Sequence, residues 1–404
     1  MRPTRSHSAI SIPLAAVSRS ADLRQLRDEG YEVEVRGNYL LVHSVPYVNA
    51  QRQIAFGILV SELTLAGDVT VRPNTHVVQF AGDHPCTKDG SPIVQIALGS
   101  ATQQLLPGLT VNHSFSNKPA AGYANYHDKM TRYIDIISSP AKSFNQNVDA
   151  RTFKPIEAAG TDSVFRYIDT ASSRAGITMI SGRVTKMRIA IVGLGGTGSY
   201  VLDFVAKTAV QEIHLFDDDH YLQHNAFRSP GAASLQDLQR RATKVEYFAE
   251  VYSRMRTGVV PHAIRLDEAN VHLLREFDFI FVCVDKGSVR RVVLNSLKAH
   301  DIPFVDVGMG VEVTPDQKLL AVCRTTAGTS GRSAHIESRV PLADMDGDDA
   351  YTQNIQIAEL NALNAAFAVI KWKKIVGVYE DADQEHHSTY STNFQLLTSE
   401  ERLA

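Results

Sequence analysis

From Lys186 onward, strand-like and helical stretches alternate. MRIAIVGL, EIHLFDD, VVPHAIRL, FDFIFVCVD and PFVDVGM are apolar runs, with helical patterns after the first, near Leu235–Arg254 and near Ser288–His300. Strands interleaved with helices at this spacing leave one economical solution, a doubly wound, parallel α/β sheet. The helical stretch NIQIAELNALNAAFAVIKWKKIV closes this domain, predicted over residues 186–404. The polar, glycine-containing segment 325–349 reads as a long mobile loop within it.

Upstream the pattern differs. Residues 1–20 carry basic residues and a short apolar patch broken by Pro13, which reads as a flexible tail and not a signal peptide. Residues 21–145 read as a smaller α+β domain. ADLRQLRDEG predicts a short helix stopped by Gly30, and YEVEVRGNYLLVHSV a hairpin turned at Gly37 and Asn38. THVVQF and PIVQIAL predict further strands, and KPAAGYANYHDKMTRYIDIISSPA a helix whose Tyr126, Met130, Tyr133 and Ile137 recur at helical spacing. Residues 146–185 form a connecting segment in which SVFRYIDTASSRAGI predicts another helix.

At 404 residues with 44% apolar residues, the chain can bury two or three substantial cores. The net charge of −3 gives no general attraction to nucleic acid or anionic membrane, and no apolar run is long enough to span a bilayer. The three cysteines, Cys86, Cys283 and Cys323, form no CxxC pair, so the expectation is a reduced cytoplasmic protein with no disulfide framework. His84, Cys86 and His113 read as isolated turn residues more readily than as a metal site.

Gly193, Gly195 and Gly198 form GxGxxG between the first apolar strand and its helix. Such glycines permit a tight turn and close backbone approach, and the helix N-terminus offers free amides to a phosphate. Asp217 ends the next strand, 19 residues past the third glycine, where a carboxylate can hold ribose hydroxyls. A nucleotide is therefore expected, and NAD and ATP satisfy this much equally. The doubled glycine Gly195-Gly196 tilts toward ATP. Asp219, Asn225, Arg228, Lys244 and Asp285 follow in order. A guanidinium and an ammonium suit polyphosphate oxygens, and a carboxylate at a strand end suits Mg²⁺. Each residue alone is more often a solvated surface group; the ordered set is what carries the inference.

This set resembles the ThiF/MoeB and ubiquitin-activating superfamily of adenylating enzymes over roughly residues 163–310. GLGGTGS is similar to the family loop, Asp217-Asp218-Asp219 to its Asp-x-Asp, HNAFR to its SNLxRQ and Asp285-Lys286 to its Asp-Asn, with Arg290 and Asn295 downstream. The resemblance implies a Rossmann-like adenylation domain using ATP and Mg²⁺. Asp217 would hold ribose, Arg228 and Lys244 phosphates, and Asp285 the magnesium. Arg174 would reach the nucleotide of the other subunit of a homodimer. The substrate would be the C-terminal carboxylate of a ubiquitin-like or sulfur-carrier-type protein, activated as an adenylate.

Two departures stand out. The family's paired CxxC motifs are missing, so no zinc is expected. The family's downstream cysteine has one counterpart, Cys323 in the strand-like LLAVCRT, where a buried structural role is the stronger expectation; Thr325, Ser330 or Ser333 are alternative acceptors. Residues 21–145 are expected to be a partner-docking or regulatory module, with a degenerate ubiquitin-conjugating-like fold behind it. The competing readings are an NAD(P)-dependent oxidoreductase, which gives Arg228, Lys244 and Asp285 no purpose, and a non-catalytic nucleotide-binding scaffold.

Overall fold

The structure, a computed structural model, describes residues 17, 19–67, 69–154, 163–167, 169, 171–172, 177–343 and 355–399. These fall into two compact units, one within residues 1–160 and 167–176, the other within 161–166 and 177–404.

In the first unit, helix α1 (Ala21–Asp28) is closed beyond its end by Gly30 at φ +98°. Strands β1 (Val33–Arg36), β2 (Tyr39–Val48), β3 (Ile54–Glu62), β4 (Val77–Ala81), β5 (Ala97–Leu106) and β6 (Leu109–Ser116) form one antiparallel sheet in the order β1-β2-β3-β4-β6-β5. Helix α2 (Tyr126–Phe144) packs across it, capped by the Asn125 side chain, which accepts from Asp128 N at 2.9 Å. Its Tyr126, Met130, Tyr133, Ile134, Ile137 and Ala141 are fully buried, the one-sided stripe that 3.6-residue periodicity requires.

Three sequence expectations are corrected here. PIVQIAL is not a strand: Val94–Ile96 form a turn and pairing begins at Ala97. Val17 and Ser20 are not part of a flexible tail. Val17 joins the core, and Ser20 Oγ accepts from Thr70 N at 3.0 Å. Within SVFRYIDTASSRAGI, Ser163–Tyr167 are not helical; Phe165 forms an isolated bridge to Arg256 instead.

The second unit is built on β7 (Arg188–Val192), α3 (Gly196–Ala206), β8 (Glu212–Phe216), the short α4 (Gln223–Ala226), α5 (Leu235–Arg240), α6 (Lys244–Ser253), β9 (Val259–His262), β10 (Phe279–Val282), α7 (Gly287–Ala299), β11 (Phe304–Val313), β12 (Leu319–Gly328), α8 (Ala358–Ile375), β13 (His387–Ser391) and β14 (Leu396–Ser399). The eight strands lie in the order β9-β8-β7-β10-β11-β12-β13-β14. The first five pair in parallel and the last three antiparallel. Helices cover both faces, which is why RIAIV and FIFV are apolar without alternation. One face packs on α3, α6 and α8 through Val201, Leu202, Phe248 and Trp372; the other on α7 through Val293, Leu294 and Leu297. No helix among the described residues is long and apolar enough to cross a membrane.

The helix expected near Leu235–Arg254 is broken in two by Arg241 at φ +52°. Thr243 restarts it, its side chain accepting from Glu246 N while Glu246 Oε2 accepts from Thr243 N at 3.1 Å. The segment 325–349 is not one long loop. Thr325–Gly328 complete strand β12, with Thr325 and Thr326 buried, and Ile336–Arg339 form a helical turn; residues 344–349 lie outside the described ones.

Candidate nucleotide site

The chain runs from β7 to β8 and β9 on one side and crosses back to β10 and β11 on the other. The carboxyl ends of β7 and β10 therefore flank the point where strand order reverses, the place where open α/β sheets form a crevice.

The glycines at that point are required for different reasons. Gly193 turns out of β7 at φ +91°, and a Cβ there would lie 2.7 Å from Cys283 O. A Cβ on Gly198 would lie 1.9 Å from Gly193 O, so only glycine lets α3 pack against the loop. A Cβ on Gly196 would lie 2.1 Å from the Asn361 amide of α8. A Cβ on Gly195 would meet nothing within 4 Å among the described residues, which leaves open space at the N-terminus of the 11-residue α3. An open backbone at a helix N-terminus is the geometry that receives phosphate.

Asp217, one residue past β8, is mostly buried and engaged on several sides. It accepts from Leu194 N at 2.6 Å, Asp219 N at 2.9 Å and Lys244 Nζ at 3.2 Å. Burial pushes its carboxyl above the usual range, against the pull of Lys244 and the two amides. Asp219 is exposed and bonded by the same ammonium at 2.6 Å, which holds its carboxyl low. Lys244, the buried first residue of α6, thus spans both carboxylates. Asn225 is 3% exposed, and its Oδ1 accepts from Leu222 N at 2.8 Å, so that oxygen closes the turn of α4.

Arg228 follows that turn, its N donating to Asn225 O at 3.1 Å. Its guanidinium is half-buried, and its Nε is enclosed without a hydrogen-bond partner among the described residues. Burial lowers its pKa, opposed by the Asp285 and Asp219 carboxylates that face it. A buried donor without a partner costs about 1–3 kcal/mol, and an anionic ligand would supply the missing acceptor.

Strand β10 stops at Val282, so exposed Asp285 sits in the loop leading to α7 rather than on the strand. Arg290 fixes this loop: its Nη2 donates to Val284 O and its Nη1 to Pro341 O at 3.2 Å. Arg290 Nε and Arg324 Nη2 bond the two oxygens of fully buried Asp306 at 3.1 and 2.6 Å. This buried carboxylate between two guanidinium groups, and Asn361, were not identified from the sequence; an aspartate at the centre of PFVDVGM was the available signal for the first.

The remaining candidates are placed as follows. Arg174 lies outside the described residues. Cys323 is 2% exposed, paired across β12 with Met309 and Tyr390, and burial pushes its thiol up to about 11. Burial also raises the thiols of Cys283 and Cys86. These environments disfavour the thiolate a nucleophile needs. Thr325 is buried, whereas Ser330 is exposed.

Residues 21–170 match a domain of unknown function, DUF6791. The adenylyltransferase and sulfurtransferase UBA4 of Yarrowia lipolytica is 26% identical over 129 residues, covering 31% of this chain and 32% of that protein. The tRNA threonylcarbamoyladenosine dehydratase of Haemophilus influenzae is 22% identical over 142 residues, covering 34% of this chain and 54% of that protein. The chain thus spans about a third and about half of the lengths of these two relatives. Among solved structures, E. coli MccB with ATP is 18% identical, covering 57% of this chain and 69% of its own at a TM-score of 0.45. The ThiF family matches residues 171–394, more than half of the 404, and the chain belongs to that family.

Proposed function

We propose that the chain adenylates the C-terminal carboxylate of a ubiquitin-like or sulfur-carrier-type protein with ATP, and that the activated carboxyl then passes to a partner. The observation that carries this is the Arg228 guanidinium: half-buried, with an enclosed Nε lacking a partner among the described residues, and faced by Asp285 and Asp219. A nicotinamide dinucleotide leaves that arrangement without a purpose. A triphosphate with its metal uses all of it.

In this reading the substrate's carboxylate oxygen attacks the α-phosphorus of ATP as the bond to the bridging oxygen breaks and pyrophosphate leaves. The nucleophile is already ionised, so the protein supplies position and charge and no general base. Asp217 orients the ribose, Gly195 leaves room for phosphate against the α3 amides, and Arg228 takes phosphate oxygens. Lys244 holds Asp217 and Asp219 and would add a second cation for the same anions. Asp285, an exposed carboxylate opposite Arg228, suits Mg²⁺, which would neutralise the polyphosphate when bound. Residues 21–145 would recruit the partner, and a homodimer would bring Arg174 to the neighbouring site.

The test is a calorimetric titration of the full chain. ATP with Mg²⁺ should bind and NADH should not, and the protein substrate should elicit ATP–pyrophosphate exchange. Binding of NAD without ATP would end the proposal.

A further inference from the structure

The glycine loop and the Arg228 turn are more than 30 residues apart in sequence, and both are touched by one side chain from far downstream. Asn361, on the first turn of α8, is fully buried. Its Oδ1 accepts from Thr197 Oγ1 at 2.9 Å, and its Nδ2 donates to Arg228 O at 3.4 Å. The amide fills the hollow at Gly196, where a Cβ would lie 2.1 Å from Nδ2. Just before α8, Gln356 Oε1 accepts from Gly196 N at 3.3 Å. The second glycine of the pair therefore marks the place where α8 docks.

We propose that Asn361 is a positioning residue for the triphosphate, setting the separation between the α3 N-terminus and the Arg228 guanidinium, with Gly196 as its matched partner. The inference rests on the proposed use of ATP. The loop and the arginine would contact the same phosphate chain from different sides. Their spacing then decides whether both contacts form together, and misplacement by about 1 Å can cost about 100-fold. A planar amide held at both ends and enclosed on all sides fixes that spacing; a leucine or alanine would fill or vacate the hollow without joining the Thr197 hydroxyl to the Arg228 carbonyl. Asp217, which would take the ribose, is tied to Leu194 N and Lys244 and not to Asn361.

This division gives the experiment a readout that general destabilisation would not reproduce. Binding of ATP with Mg²⁺ and of adenosine is measured on the full-length wild type, Asn361→Ala, Gly196→Ala and the double variant, with thermal unfolding alongside. Asn361→Ala should weaken ATP binding at least tenfold while adenosine binding changes less than twofold. Gly196→Ala should lower the unfolding midpoint, and adding Asn361→Ala should restore it without restoring ATP affinity. If Asn361→Ala does not fold, Thr197→Val removes only the donor to Oδ1 and is read the same way. ATP affinity unchanged, or ATP and adenosine lost in equal measure, overturns the inference alone. A wild type that binds no ATP overturns the proposed function and this inference with it.

Discussion

Lys129 is an ammonium that the first unit buries at a cost. It lies on the core face of α2, fully enclosed, with its Nζ donating to Ser61 Oγ at 2.9 Å. Glu62 is the carboxylate that partly offsets the desolvation, and burial lowers the lysine from the ordinary 10.5 to about 8. A depressed base means that the unfolded chain holds the proton more tightly than the folded one. Below pH 8 the whole penalty is present; between pH 8 and 10.5 it fades as the unfolded chain also loses its proton. The difference of about 2.5 units at 1.36 kcal/mol each is about 3 kcal/mol. Lys129→Met keeps an unbranched side chain one atom shorter and removes the charge, and Ser61 Oγ still donates to Glu62 O at 2.8 Å. The variant should therefore stabilise the first unit by about 3 kcal/mol at pH 7, with the gain shrinking toward zero by pH 10.5. Hydrogen exchange of the α2 amides in the intact chain, followed across pH with denaturant, measures this. A gain that does not change between pH 7 and 10, or a loss of stability at pH 7, would refute the argument.

Asp285→Ala should leave the unfolding midpoint unchanged, since the carboxylate is exposed, yet lower substrate-dependent ATP–pyrophosphate exchange at least 100-fold; exchange near the wild-type rate would place the metal elsewhere. Asp306→Asn weakens the partner of two buried guanidinium groups and should cost about 3 kcal/mol in urea unfolding. Cys323→Ala should retain adenylate formation and most transfer, because the thiol is buried and raised to about 11. A reductant-sensitive band on a non-reducing gel that the variant fails to form would make Cys323 the nucleophile.

The parallel sheet was legible because each strand is an apolar run and each crossover is helical, both local patterns. The glycine loop and Asp217 were legible for the same reason, a spacing within 25 residues. What escaped was set by contacts distant in sequence. Asn361 meets Thr197 across 164 residues, and in the sequence it is one of several polar residues in an apolar helix. The break at Arg241 was local but masked by continuous helical periodicity, although Thr243 and Glu246 stand at capping-box spacing and announce the restart. PIVQIAL has the composition of a strand, yet Cys86 bridges Pro92 and leaves the chain turning until Ala97. Cys323 reads the same way in sequence and structure because alternating burial along β12 is a period-two property.

The docking of α8 on Gly196 also has a consequence in time. A ribosome adds about 5–20 residues per second, so Asn361 is synthesised roughly 8–33 seconds after the loop it fills. During that interval β7, α3 and β8 can form, since they are neighbours in the chain, while the hollow above Gly196 stays open to water. The apolar face that receives Trp372 is uncovered for the same period. The nascent chain must therefore keep a half-built sheet soluble until α8 arrives, and the glycine loop is tied to the Arg228 turn in the same step that covers this face of its core.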